Sequence, residues 1–227
     1  ARKMREAISE LETQLVAMRE EDKTIGKFTI QAQESSGILL DVTGVPIVKK
    51  AKSTTHKVHI ALRRGEKLLI TGPNGVGKTT FLKQLASQHG KGFAFSPDAL
   101  IGYYAQDFSG LSGAKTVYDS LSSVMHEGTE GRLRSVAAHF LFTDDLLRNH
   151  VSSLSEGQKG LLCFAQFVLR APNILILDEP TNHINFRHLP IIAAALNDYQ
   201  GALVLVSHMP DFVAQVQINE TLDLGAL

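Results

Sequence analysis

Residues 72–79 read Gly72-Pro73-Asn74-Gly75-Val76-Gly77-Lys78-Thr79. They match the spacing G-x-x-x-x-G-K-[ST] in full. A polyphosphate carries several negative charges, and a glycine-rich turn lets successive backbone N–H groups point inward at its oxygens. Gly72, Gly75 and Gly77 supply that turn because positive φ angles cost glycine little. A helix starting near Lys78 adds the positive end of its dipole. In such a loop Lys78 reaches the terminal phosphates as a point charge, and the Thr79 hydroxyl ligates Mg2+. Pro73, Asn74, Val76 and Thr80 complete the expected cradle. The flanks agree: 67–70 is a short apolar strand run, and 80–88 reads as a helix.

One hundred residues downstream, Ile174-Leu175-Ile176-Leu177 runs into Asp178-Glu179. Mg2+ takes an octahedral oxygen shell and few protein ligands. Asp178, at the end of a strand over 173–177, is placed to hold that shell through water. Glu179 is one residue on, with its side chain pointing elsewhere, and is placed to orient an attacking water. Both acids are expected outside the carboxyl ends of parallel strands, where α/β sheets bind ligands.

Between these segments lie Gln106 and Leu154-Ser155-Glu156-Gly157-Gln158, and after them Ser207-His208. In this order the chain resembles the ATP-binding cassette (ABC) superfamily, a P-loop NTPase α/β fold. That fold has a mostly parallel central sheet, an antiparallel β layer and a helical subdomain. The resemblance implies ATP and Mg2+ as cofactors. It implies that Gln106 couples the Mg2+ site to the helical lobe and senses the metal, and that His208 contacts the γ-phosphate. Ser155, Gly157 and Gln158 would close over the nucleotide of a second ABC domain. Physically, Ser155 and Gly157 open a helix over 158–169, and a helix N-terminus is an anion site.

Asp178-Glu179-Pro180-Thr181-Asn182-His183-Ile184 and Gly102-Tyr103-Tyr104-Ala105-Gln106 are similar to the ABC-F subfamily. That resemblance implies two ATPase domains in one chain, no membrane domain, and work on the ribosome in translation or antibiotic resistance. An ATPase subunit of a membrane transporter shares the fold and chemistry and stays open as an alternative. So does a nucleotide-binding module with little turnover. The chain departs from the pattern at Asn185, where Asp is usual, at Glu156, where Gly is common, and at Met209-Pro210-Asp211, where a basic residue is frequent. No clear aromatic stands near 47–56 to stack on adenine, leaving Val48 or His56.

The 227 residues carry a formal net charge of +0 and one cysteine. Neutrality argues against a generally basic nucleic-acid binder. Lys49-Lys50-Ala51-Lys52 and Arg63-Arg64 are small basic clusters and read as solvated loop. A single cysteine forbids an internal disulfide, and Cys163 is expected to pack in a core. A reducing, cytoplasmic setting fits. No Cys/His spacing suits zinc, no apolar run approaches the ~20 residues that span a bilayer, and no signal peptide is visible.

Met4, Ile8, Leu11, Leu15 and Met18 form an a/d seam in residues 1–24. Three heptads are too short to stand alone, so a partner helix is implied. In the ABC-F reading this is the end of an interdomain linker, and 25–227 is the second ABC domain of a longer protein. Strands are expected over 28–31, 37–42 and 58–62 in an antiparallel layer. Helices over 117–125 and 133–142 are expected in a helical lobe of about 108–170. A helix over 188–199, a strand over 202–206 and a closing element near 221–224 complete the core. Strands alternating with helices imply a parallel sheet covered on both faces.

Overall fold

The computed structural model describes residues 23–49, 52–90, 92–125 and 128–227. The heptad seam, Lys50 and Ala51 lie outside them. Two sheets organise the chain. Strands β1 (Ile38–Lys49), β2 (Lys52–Arg63) and β4 (Phe93–Phe95) form an antiparallel sheet in the order β2-β1-β4. Strands β3 (Lys67–Thr71), β5 (Ile101–Tyr104), β6 (Ile174–Asp178), β7 (Ala202–Val206) and β8 (Glu220–Asp223) form a parallel sheet in the order β5-β6-β7-β3-β8.

The apolar runs of β3, β6 and β7 are continuous because both faces of this sheet are buried. Alternate residues sort to opposite sides. Ile174, Ile176, Val204, Val206, Leu68 and Ile70 pack toward the antiparallel layer and helix α1 (Lys78–Ala86). Leu175, Leu177, Leu203, Leu205 and Leu69 pack toward the helical lobe.

That lobe follows one local rule. Helices α2 (Val117–Ser122), α3 (Glu130–His139), α4 (Asp144–Arg148) and α5 (Glu156–Arg170) each start after a hydroxyl residue. Thr116, Thr129, Thr143 and Ser155 each accept a backbone N–H three positions on. Such caps satisfy donors that the first turn cannot. At α5 the cap is reciprocal, with Gln158 Oε1 taking the Ser155 N–H at 2.9 Å. Helix α5 ends at Ala171, which turns left-handed at φ 52 just before Pro172. Helices α6 (Leu189–Asp198) and α7 (Pro210–Val213) complete the α-helices of the described residues, both with proline in the first turn.

Most expected elements appear with shifted ends. The capping box starts α5 at Glu156 rather than 158. Strands β1 and β2 extend into a longer hairpin, while α2 and α3 end sooner than expected. The expected strand over 28–31 is a correction. Residues 23–36 run without helix or strand, because Phe28 is drawn onto the helical lobe, with ring centroids 4.7 Å from Phe140 and 6.1 Å from Phe164.

Candidate functional site

The glycine-rich loop joins β3 to α1. Gly72, Gly75 and Gly77 all take positive φ, at 138°, 80° and 109°. A Cβ at Gly72 would lie 3.1 Å from the Gly225 nitrogen and 3.2 Å from Val76, so this glycine lets the loop close against the C-terminal strand. Gly77 is the N-cap of α1 and, having no side chain, leaves the first-turn N–H groups uncapped. These donors and the helix dipole face a cleft of about 550 Å3.

Asn74, Gly75, Gly77, Lys78, Thr79 and Thr80 line that cleft from the loop side. Lys78 is buried, and its Nζ donates to the carbonyls of Gly72 at 2.8 Å and Pro73 at 3.1 Å. From β6 and beyond come Asp178, Glu179 and Asn182, from β7 Val206, then His208, with Gln106 after β5. The strand ends are thus the reason these residues meet.

Asp178 continues β6 and is 1% exposed. Burial raises its carboxyl pKa; the Thr79 hydroxyl opposes this and the neighbouring Glu179 adds to it. Its Oδ2 is buried without a hydrogen-bond partner. Glu179 sits at φ 51, a left-handed conformation that a non-glycine residue adopts at a cost of about 1–3 kcal/mol. Its own N–H donates to Val206 C=O at 2.9 Å. The turn swings its side chain off the strand, where Oε2 accepts the His208 N–H at 3.0 Å. Oε1 is buried and makes no hydrogen bond, with His208 Nε2 3.3 Å away.

The donor set fits magnesium and a polyphosphate. Two buried carboxylate oxygens without hydrogen bonds, a threonine hydroxyl and a glutamine amide supply hard oxygen ligands. The uncapped N–H groups and Lys78 supply the anion side.

Of the expected loop residues, Gly72, Pro73 and Val76 do not line the cleft. Pro73 holds Lys78 through its carbonyl, and Val76 anchors the loop in the core. Ser155, Gly157 and Gln158 lie on another element, and Gln158 is spent on the cap. Their helix end abuts the segment after Glu179. A Cβ at Gly157 would fall 2.9 Å from His183 O, and Glu156 pairs with His183 at 2.9 Å. Asn182 and Val206 are cleft residues missed from sequence. Asn182 had a signal, its place in the segment following the acids, whereas Val206 had none. His56 pairs with Val45 across the hairpin and does not line the cleft.

The ABC transporter family profile matches residues 55–182. The chain belongs to the ABC transporter family, as one of its ATP-binding domains. This ABC domain is 36% identical over 202 residues to the probable ATP-binding protein YbiT of Escherichia coli, covering 87% of this chain and 36% of that protein. It is 32% identical over 216 residues to the ATP-binding protein Uup of Caulobacter vibrioides, covering 88% and 35%. It is 29% identical over 191 residues to ABC transporter F family member 5 of Arabidopsis thaliana, covering 82% and 28%. The chain thus spans about a third of the length of these curated relatives. Among solved structures, the ATP-binding subunit of an ABC transporter shares the fold at a TM-score of 0.68, with 18% identity and coverage of 82% of this chain and 87% of that one. An inward-facing putative metal-chelate type ABC transporter does so at 0.64, with 23% identity over 83% and 80%. No helix among the described residues of the ABC domain is long and apolar enough to cross a membrane.

Proposed function

We propose that this ABC domain binds and hydrolyses Mg-ATP as the second ATPase domain of an ABC-F protein that acts on the ribosome. The observation that carries the chemistry is the convergence of Lys78, Thr79, Asp178, Glu179 and His208 on one cleft. Lys78 and the first-turn N–H groups of α1 hold the β- and γ-phosphates. Thr79 and Asp178 hold Mg2+, with Gln106 completing the link to the helical lobe. The metal, when bound, neutralises charge on the transferring phosphoryl group. Glu179 orients the attacking water, and His208 reaches the γ-phosphate from the next strand. Positioning and charge stabilisation dominate such a reaction.

Ser155, Gly157 and Gln158 act in trans, on the nucleotide of a second ABC domain. None of the three lines this chain's own cleft, which favours that reading. The ABC-F assignment is supported by relatives named as F family members and by the Thr181-Asn182-His183 segment. It implies a cytoplasmic protein whose linker moves when the two domains close on ATP.

The test uses the full-length parent with Glu179→Gln and the matching change in its other domain. ATP-dependent co-sedimentation with ribosomes is expected. Tight ATP binding without ribosome association would remove the ribosome as partner and make a transporter assembly the leading reading.

A further inference from the structure

Residues 23–30 have no regular structure, yet they are fixed at three points. The Ile25 N–H donates to Nδ1 of His188 at 3.4 Å. The Gly26 N–H donates to the His139 carbonyl, at the end of α3, at 2.8 Å. Phe28 packs on Phe140 and on Phe164 of α5. Ile25 and Ile30 are buried at 3% and 4% exposure. The approach at the middle point is tight, since a Cβ at Gly26 would fall 2.7 Å from His139 Cδ2.

Two of these anchors lead toward the face that carries residues 154–158, the signature segment, at the start of α5. His188 ends the short 3-10 turn Phe186–His188, which Asn185 caps by accepting the Arg187 N–H at 3.1 Å. The residues just before that turn lie against the start of α5, through Glu156–His183 and the Gly157 contact with His183 O. Further along, a Cβ at Gly160 would fall 3.0 Å from Ile184. Phe28 holds the middle of the same helix through Phe164.

We propose that residues 23–30 form a strap that positions the 185–188 turn and the signature helix as one unit, with His188 as its clasp. His188 is a positioning residue: it does not line the cleft and acts through the turn that Asn185 caps. A pull on the N-terminal end of the strap then reaches the turn and the signature together. The phosphate-loop side of the site belongs to a different core: Ile25 and Ile30 pack in the cluster of the helical lobe, Val76 of the loop in the other. The consequence for ATP turnover rests on the two-domain reading above.

Hydrogen exchange of this chain without nucleotide tests the strap independently of that reading. Phe28→Ala removes the anchor on Phe140 and Phe164, a site away from the turn. Its expected effect is exchange at least about tenfold faster at the amides of Asn182, Arg187 and His188, with β6 and β7 unchanged. Acceleration confined to residues 23–36 would overturn the proposal. If Phe28→Ala unfolds the lobe, Phe28→Leu supplies the same comparison with the packing volume largely kept.

The clasp is tested by His188→Asn against His188→Leu. The Asn Oδ1 stands where Nδ1 accepts, so Asn is expected to keep the Ile25 amide protected and Leu to lose that protection. Equal behaviour of the two would overturn the role of His188. In the full-length parent, His188→Leu is expected to lower kcat severalfold with ATP affinity unchanged, and His188→Asn to restore it. A parent that never hydrolyses ATP would sink the proposed function and leave the exchange result standing.

Discussion

Glu179 holds His208 with both carboxylate oxygens in reach: Oε2 accepts the His208 backbone N–H at 3.0 Å, and Oε1 lies 3.3 Å from Nε2 of the same residue. The first contact ties the end of β6 to the segment after β7. The second leaves Oε1 buried and without a hydrogen bond, so it is the oxygen available to a water.

Glu179→Gln separates these two jobs. The amide oxygen still accepts the His208 N–H, so the loop geometry and ATP binding are expected to persist. The amide cannot take a proton from water, so turnover is expected to fall by about 10²–10⁴-fold. Phosphate release and nucleotide affinity, measured on one preparation, check both halves. Unchanged turnover would remove Glu179 from the reaction.

The phosphate loop, its strand and the acids were legible because each is a local pattern of chain chemistry: glycines at fixed spacing, an apolar run, a carboxylate at its end. The strap was not. Phe28, Ile30 and their neighbours alternate like a strand, and only Phe140 and Phe164, more than a hundred residues away in sequence, decide that the segment lies on helices instead. The left-handed turn at Glu179 was likewise invisible. It depends on the hydrogen bond to Val206, a contact between strands separated by a helix. Ser155 and Gly157 were legible as the opening of a helix, whereas the reciprocal cap that starts it at Glu156, Ser155 with Gln158, was not.

Tyr104 predicts a stabilising change. Its hydroxyl is buried and makes no hydrogen bond, and a Cβ built on Gly160 of α5 would fall 2.7 Å from it. Burial also raises its pKa, keeping it neutral. Removing an unpaired buried hydroxyl relieves a desolvation penalty, so Tyr104→Phe is expected to raise stability by about 1 kcal/mol. Gly160→Ala is expected to destabilise by about 1–3 kcal/mol, overpacking outweighing the helix preference for Ala. The double variant should recover part of that loss. Urea midpoints of the four proteins test the coupling, and strict additivity would refute it.

Asn173 is fully buried and stitches the entry of β6 to the segment before β5. Its Oδ1 accepts the Leu100 N–H at 2.7 Å, and its Nδ2 donates to the Asp98 carbonyl at 2.9 Å. Asn173→Ala strands both backbone groups and is expected to cost about 2–4 kcal/mol. A denaturation midpoint within error of the wild type would show that water replaces the amide.

His188 gives the pH dependence. Burial lowers its pKa below the ordinary 6.5, and its Nδ1 accepts the Ile25 N–H only when unprotonated. In the unfolded chain the imidazole titrates near 6.5, so below that pH the unfolded state binds the extra proton. The contribution of His188 is therefore fully present above pH 6.5 and is lost as pH falls from 6.5 toward its folded value. The slope from this one group is at most about 1.4 kcal/mol per pH unit. His188→Asn has no titrating group at this position. Its stability relative to the wild type is expected to improve steadily between pH 7 and pH 5, read from urea midpoints across that range. A difference that stays constant with pH would mean that His188 titrates alike in both states, and that its burial does not govern its charge.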